Sequence, residues 1–241
     1  MHYFVSDIHL GSGDKAEQRR VERLFLDFLT EIEADAETLF LVGDIFDFWF
    51  EYKQVVPKGF VRVLGRLAEL SDKGVKVVMI TGNHDMWVGD YLTEECGIEL
   101  HTTPQCITLA GKDIFVAHGD NMNIKGKPVL RLMNRMFRSK VLRKWASALI
   151  HPNCFLRFGK WWSGKSRKSH GEVQSVAVLQ PLIDFAAAYG KEQKVDYFVF
   201  GHMHYPADIP GAQRTLFMGD WHTNPSYLAL DNDGKIELKM K

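Results

Sequence analysis

Residues 75–85 read Val-Lys-Val-Val-Met-Ile-Thr-Gly-Asn-His-Asp, an apolar run that ends in a polar cluster. The apolar run predicts a strand over residues 75–81 that is buried on both faces, as central strands of α/β proteins are. Gly82 permits a sharp exit from the strand, so the next three side chains can point into one site. Polar groups beyond the carboxyl end of such a strand are typical of a ligand site in an α/β sheet.

Four more polar clusters follow predicted strands, and each contains Asp or His. These clusters are Asp7-Ile8-His9, Gly43-Asp44, His118-Gly119-Asp120 and Gly201-His202-Met203-His204, after predicted strands over residues 3–6, 38–42, 113–117 and 195–200. One such cluster alone would be weak evidence, but five at strand ends indicate a shared site. Carboxylate, amide and imidazole groups bind divalent transition metals, so the sequence predicts a metal site there.

The remaining chain alternates helices with shorter strands. Apolar spacing predicts helices over residues 16–34, 60–73 and 173–189, the last interrupted near Pro181, and strands over residues 98–101, 106–109, 227–230 and 236–240. The pattern predicts an α/β fold with some antiparallel strands late in the chain.

The composition limits the class of protein and the cellular compartment in which it can lie. The 241 residues are 46% hydrophobic and 25% charged, which predicts one ordered domain over residues 1–241. No apolar run is long enough for a transmembrane helix, and the N-terminus resembles a strand rather than a signal peptide. Three cysteines without a CxxC pair favour a reducing compartment. We expect a cytosolic protein, or one on the cytosolic face of a membrane.

Residues 121–171 break the balance of charge. They contain 13 Lys/Arg and no Asp or Glu, whereas the rest of the chain has 17 Lys/Arg and 30 acids. The segment also carries an apolar helical stripe and several tryptophans. Its apolar members are Val129, Leu132, Met133, Met136, Phe137, Val141, Trp145, Leu149, Phe155, Leu156, Phe158, Trp161 and Trp162. We predict a basic helical cap inserted in the domain; a solvated hairpin without function, or packing against the core or a dimer partner, are the alternatives.

In this order the clusters resemble the motif of the calcineurin-like metallophosphoesterases, DxH…GD…GNH(D/E)…H…GHxH. The resemblance covers nearly the whole chain outside residues 121–171. It implies the family's four-layer αββα sandwich, in which two mixed β-sheets are flanked by helices. It also implies a metal-dependent phosphoester or phosphoanhydride hydrolase.

The resemblance implies seven ligands in two sets that share Asp44. The sets are Asp7, His9, Asp44 and His204 for one ion, and Asp44, Asn83, His118 and His202 for the other. Two cations about 3.5–4 Å apart can make a shared water an effective attacker of phosphorus and can neutralise phosphoryl oxygens. The family implies two manganese ions, and the His-rich set also suits iron or zinc.

His84 is not among the implied ligands. Beside the site it could protonate the leaving oxygen, with Asp85 orienting its ring. The alternative is that His84 is a structural histidine.

Other stretches are similar to the branch of this family that cleaves the pyrophosphate of a nucleotide-sugar lipid in lipid A synthesis. They are residues 5–10, residues 41–49, residues 118–120 with the basic segment directly after them, and residues 219–223. The similarity implies substrate-binding roles for six side chains: Arg157, Lys165, Ser166, Lys168, Asp120 and His222. At position 84 the sequence has the His of the general family motif where the best-known member of that branch has Arg, so another phosphoester substrate is an alternative.

The cap suits an anionic, partly apolar substrate. Its Lys and Arg side chains fit phosphates, and Trp145, Trp161 and Trp162 fit acyl chains or an anionic membrane surface. We therefore expect a peripheral protein on the cytosolic face of the inner membrane. A nuclease or phosphodiesterase that grips nucleic acid is the alternative; the continuous helical stripe argues against it, because stacking platforms expose separate aromatics. A non-catalytic scaffold would be expected to lose ligands, and all seven positions are filled.

Overall fold

The structure is a computed structural model that describes residues 1–122, 131–132, 135–136, 138–170 and 175–241, except the side chains of Lys140, Lys160 and residues 165–170. The strands are β1 (His2–Val5), β2 (Thr38–Val42), β3 (Lys76–Ile80), β4 (Glu99–His101), β5 (Gln105–Leu109), β6 (Lys112–Ala117), β7 (Tyr197–Phe200), β8 (Ala207–Ile209), β9 (Arg214–Phe217), β10 (Ser226–Leu230) and β11 (Ile236–Met240). The α-helices are α1 (Lys15–Ile32), α2 (Val61–Asp72), α3 (Tyr91–Cys96), α4 (Lys140–Leu149), α5 (Pro152–His170) and α6 (Gln180–Glu192), and a 3-10 helix (Val176–Leu179) leads into α6.

The strands form two mixed sheets. The first has the order β11-β10-β1-β2-β3-β4, in which β1 to β4 are parallel and β10 and β11 are antiparallel additions. The second has the order β5-β6-β7-β9-β8, with β6, β7 and β9 parallel. The parallel strands of each sheet end on the same side, which brings their polar clusters to one edge of the sandwich.

Alternating residues of these strands build the layers. In β1, Phe4 faces the second sheet, whereas Tyr3 and Val5 face α1 and α2. The layer between the sheets contains Phe4, Phe40, Val78, Ile114, Val199 and Leu216, among others. A third apolar cluster packs the other face of the second sheet against α6. The predicted αββα sandwich of two mixed sheets flanked by helices is thus confirmed.

The helix boundaries differ from the predicted ones by a few residues. Helix α1 begins at Lys15, because the Asp14 side chain accepts hydrogen bonds from the amides of Ala16 and Glu17. The helix predicted over residues 173–189 is divided where Pro181 occupies the first turn of α6. Residues 173 and 174 lie outside the described residues.

Helices α4 and α5 belong to the predicted basic cap, and their apolar residues divide between two surfaces. The ring of Phe155 lies 4.3 Å from that of Phe50 and 5.4 Å from that of Trp87, measured between centroids, so it packs on the core. Trp145 and Trp161 instead expose 62% and 59% of their surface. Lys125, Lys127, Val129, Met133 and Phe137 lie outside the described residues, and the single cap over residues 121–171 stays a prediction. Among the described helices, none is long and apolar enough to cross a bilayer.

Candidate metal centre

Strained backbone marks the loops after β1, β2 and β7. In the described part of the chain, seven non-glycine residues have φ in the left-handed region, which costs an L-residue about 1–2 kcal/mol. Five of the seven are predicted ligands: Asp7, His9, Asp44, His202 and His204. Strain of this kind persists at functional sites, because the surrounding structure enforces it. The backbone therefore marks the same positions as the sequence motifs.

Two glycines allow the loops to approach one another. A Cβ atom on Gly82 would lie 2.2 Å from Oδ1 of Asp44, and one on Gly43 would lie 2.6 Å from Nδ1 of His118. No side chain fits at either position without displacing a predicted ligand. Both glycines therefore lie where two loops approach closely.

The predicted ligands converge into neighbouring clusters. Potential ligand atoms lie within 4.8 Å of one another in three groups: Asp7, His9 and His204; His9, Asp44 and His84; and Asp44, His118 and His202. Nε2 of His204 is 3.1 Å from Oδ1 of Asp7, and Nε2 of His118 is 3.2 Å from Oδ2 of Asp44. The shared members place two potential ion positions side by side.

The polar atoms of these clusters fit a pair of cations. Among the predicted ligands in the described part of the chain, four buried atoms have no hydrogen-bond partner: Oδ1 of Asp7, Nδ1 of His9, Oδ1 of Asn83 and Nε2 of His118. Each such atom costs about 1–3 kcal/mol when it is left unsatisfied. Oxygen and imidazole nitrogen atoms are ligands for divalent transition metals, so bound cations would satisfy these atoms.

Electrostatics also favours cations at this position. Burial opposes ionisation of Asp44, but the neighbouring charges of His118 and His84 outweigh it and hold the pKa of Asp44 well below its usual value. Burial lowers the pKa of His202 to about 4 and that of His9 well below its usual value. Burial also opposes protonation of His118, but the charges of Asp44 and Asp7 outweigh it and raise the pKa of His118 well above its usual value. A metal ion bound by His118 would therefore displace a proton from its ring.

Asp85 contacts the backbone rather than His84. Its two carboxylate oxygens accept hydrogen bonds from the amides of Gly82 and Ile45, each at 2.8 Å. Burial, and then the charge of Asp44, raise the pKa of Asp85 to about 6. The expectation that Asp85 orients the His84 ring is therefore wrong, because both of its oxygens hold the loops that carry the ligands.

The ring of His84 is held by a different group. Its Nδ1 lies 2.7 Å from the carbonyl oxygen of Asp47, and its Nε2 lies 3.8 Å from Oδ2 of Asp44. A carbonyl oxygen only accepts, so Nδ1 carries a proton and Nε2 faces the cluster. The ring is thus fixed at the edge of the metal centre.

Asp47 and Ser163 were missed by the sequence analysis. Oδ1 of Asp47 lies 4.0 Å from Nδ1 of His9 and accepts a hydrogen bond of 2.5 Å from Oγ of Ser163. Ser163 is completely buried although it belongs to the basic cap. A separation of 4.0 Å is too long for a hydrogen bond, so Asp47 lies near His9 without holding its ring. Only the fold brings residues 47 and 163 together, so their spacing carried no indication of the contact.

Replacing Ser163 by alanine should weaken both the seating of α5 and the metal centre. Asp47 loses a buried donor, which should lower the free energy of unfolding by about 1–3 kcal/mol. We also expect several-fold weaker Mn²⁺ binding, because the Asp47 carboxylate lies near His9. Urea unfolding and Mn²⁺ titration measure the two effects. Ser147→Ala is the control, since Oγ of Ser147 donates to the carbonyl oxygen of Lys144 in the same helix; equal values for both variants would refute the coupling.

The predicted substrate-binding residues fall in different environments. Oδ2 of Asp120 lies 2.9 Å from a guanidinium nitrogen of Arg138, and Nδ1 of His222 lies 3.0 Å from Oε1 of Glu17. Both therefore contact protein groups. Arg157 lines a cavity beside Asp47. The side chains of Lys165, Ser166 and Lys168 lie outside the described residues. All six assignments to substrate stay predictions.

Comparisons with known proteins agree with this geometry. The model of the calcineurin-like phosphoesterase family matches residues 3–206. UDP-2,3-diacylglucosamine hydrolase of Porphyromonas gingivalis is 38% identical, over 95% of this chain and 93% of its own length. The proteins of that name from Haemophilus influenzae and Edwardsiella ictaluri are 29% and 28% identical, over 97% and 96% of this chain and 96% and 88% of their own lengths. The chain therefore belongs to the calcineurin-like phosphoesterase family, which implies a divalent metal centre built from histidine and aspartate side chains.

Proposed function

We propose that this protein hydrolyses UDP-2,3-diacylglucosamine to UMP and 2,3-diacylglucosamine 1-phosphate. The observation that carries the proposal is the convergence of His and Asp side chains from five strand ends beside an aromatic, basic cap. The 38% identity to a UDP-2,3-diacylglucosamine hydrolase, over nearly all of both chains, supports this substrate among those of the family.

We assign the seven predicted ligands to two ion positions. Asp44, whose Oδ2 lies 3.2 Å from Nε2 of His118, belongs to both predicted sets and would be shared by the two ions. Two Mn²⁺ ions held there would lower the pKa of a water molecule and neutralise phosphoryl oxygens. Asp85 holds the loops at Gly82 and Ile45, and Asp47 places a carboxylate 4.0 Å from Nδ1 of His9.

His84 supplies the proton for the leaving group. Since Nδ1 is held by the carbonyl of Asp47, the Nε2 atom faces the reacting phosphate. A protonated Nε2 can donate to the oxygen of the departing sugar phosphate. In this role His84 does not need to be a metal ligand.

Beside His84 lies an apolar recess of about 20 Å³, and we infer that the lipid half of the substrate passes along the surface around it. Its walls include Phe48, Met86, Trp87 and Trp162. The aromatic surface continues onto α5 through Phe155. An acyl chain leaving the metal centre in this direction meets mainly apolar side chains, which favours its burial.

We place the outer face of the cap against the cytosolic face of the inner membrane. Trp145, Trp161 and Leu149 are exposed there, and the exposed Lys144 lies on the same helix as Trp145. Exposed aromatics with basic residues nearby bind anionic bilayers, at about 1 kcal/mol for each Lys or Arg near the surface.

Replacing Trp145 and Trp161 by serine should reduce vesicle binding about tenfold or more, because two large apolar side chains no longer enter the interface. Co-sedimentation with vesicles that contain phosphatidylglycerol measures the change. Val61→Ser with Met240→Ser removes comparably exposed apolar residues outside the cap and should leave binding unchanged. Equal binding of both double variants would exclude the cap as the membrane-facing surface.

The direct test of the proposed reaction is a product assay. UDP-2,3-diacylglucosamine in detergent is incubated with the protein and Mn²⁺, and UMP and the lipid phosphate are quantified. We expect both products in equal amounts. Cleavage of single-stranded DNA with the lipid left intact would replace the proposal by a nuclease function.

A further inference from the structure

A cavity of about 780 Å³ adjoins the metal centre on the side of α1. It lies between the start of α1, the loop before α2 and the helix α5. Its wall includes Leu10, which directly follows His9, and Asp47, whose Oδ1 is 4.0 Å from Nδ1 of His9. The volume falls within the range of about 300–1,000 Å³ that is usual for small-molecule sites. None of the seven predicted ligands lines it, so the cavity is a separate feature beside the centre.

The cavity has uncompensated positive charge. Lys15, Lys58 and Arg157 line it, and no ion pair joins any of the three to another residue in the described part of the chain. Of its two acids, Glu22 lies 2.6 Å from Arg19, whereas Asp47 accepts a hydrogen bond from Ser163 and keeps its charge, so the lining still has more basic than acidic side chains. Cations without acidic partners on a concave wall favour an anionic ligand such as a phosphate group.

A strained aromatic residue forms part of the wall. Phe60 has a φ of 58°, which is an outlier for a bulky side chain. Its ring lies so close to Gly11 that a Cβ atom there would come within 3.0 Å of the ring carbon Cζ. Backbone strain of this kind is kept where a side chain must hold a functional position. Here it presents an aromatic ring to the cavity.

The other polar groups of the wall suit a heterocyclic base. Gln18 and Asn153 contribute side-chain amides, which offer donors and acceptors, although Nε2 of Gln18 also donates to the carbonyl oxygen of Gly13. Phe48 and Phe60 contribute aromatic rings, on which a planar base can stack. Phosphate, base edge and base face therefore each have a matching group.

Phe48 separates this cavity from the apolar recess beside His84, because it lines both. A pyrophosphate held at the metal centre would thus have a basic, amide-containing site on one side and an aromatic site on the other. A nucleotide-sugar lipid has the matching halves, since its nucleotide is anionic and polar and its acylated sugar is largely apolar.

We propose that the cavity lined by Lys15, Lys58 and Phe60 binds the nucleoside monophosphate half of the substrate, and holds UMP after cleavage. The inference rests on the proposed function for the identity of the nucleotide. It goes beyond that function by assigning a nucleotide site that contains none of the metal ligands.

The test compares Lys15→Gln/Lys58→Gln with Lys191→Gln/Lys194→Gln, a matched pair of exposed lysines at the end of α6. UMP binding is measured by calorimetry with Mn²⁺ present, and inhibition of turnover is measured with UMP, inorganic phosphate and the lipid product. The cavity variant should bind UMP about tenfold or more weakly, because two charge-assisted contacts are lost. The control variant should match the wild type.

Inhibition by the lipid product and by inorganic phosphate should change little in the cavity variant. Undetectable UMP binding to the wild type, or unchanged UMP binding in the cavity variant, would overturn the inference. Equal weakening for UMP and inorganic phosphate would also overturn it, since it would indicate a general anion site. Absence of lipid hydrolysis by the wild type would instead contradict the proposed function, because the calorimetric result does not depend on turnover.

Discussion

Replacing Asp44 by alanine is expected to abolish hydrolysis and to weaken both ion positions at once. Asp44 is buried, its Oδ2 lies 3.2 Å from Nε2 of His118, and its Oδ1 accepts a hydrogen bond from the amide of His84. Loss of a carboxylate that we propose is shared by both ions should reduce the rate by about a thousandfold or more, equivalent to about 4 kcal/mol of transition-state stabilisation. Turnover of UDP-2,3-diacylglucosamine and the Mn²⁺ content of the purified protein measure the two effects.

Asp72→Ala is the matched control, because Asp72 is an exposed residue at the end of α2. Its activity and metal content should equal those of the wild type. An Asp44→Ala protein that keeps two ions and a normal rate would refute the bridging role. A folded variant that loses only one ion would restrict Asp44 to a single position.

Replacing His84 by alanine should reduce the rate much more than the metal content. The ring lies beside the ligands, with Nδ1 on the carbonyl of Asp47 and Nε2 facing the centre. Loss of a general acid costs about a hundredfold or more in rate. Steady-state kinetics over a range of pH, together with metal analysis, separates proton transfer from metal binding.

His101→Ala provides the control, since His101 is a partly exposed residue whose ring lies against Glu99 on an edge strand. Its kinetics should resemble those of the wild type. A His84→Ala protein that loses its metal ions in parallel with its activity would make His84 a ligand and would end the separation of roles.

The central strands and most of the candidate centre could be predicted from the sequence. The apolar runs at β1, β2 and β3 are buried on both faces, so their composition is constrained and easily recognised. Polar residues directly after such buried strands add little to the packing of the core, so their presence indicates a functional site. The geometry at Asp7, Asp44, His118 and His204 brings these strand ends together as predicted.

Contacts between segments that are distant in the chain could not be predicted from the sequence. Asp47 gains its position from the hydrogen bond of Ser163, which lies 116 residues away in the chain. Asp85 was expected to face His84, because the two are adjacent, but the amides of Gly82 and Ile45 offered better partners. Apolar periodicity of the cap likewise gave no distinction between Phe155, which packs on the core, and Trp161, which is exposed.

The most direct test is to count and locate the ions. Crystals grown with Mn²⁺ are measured at the manganese absorption edge, and anomalous density is compared with the positions of Asp7, Asp44, Asn83 and His202. We expect two peaks per chain, about 3.5–4 Å apart, with Asp44 between them. A single peak, or peaks remote from these four side chains, would contradict a paired metal centre.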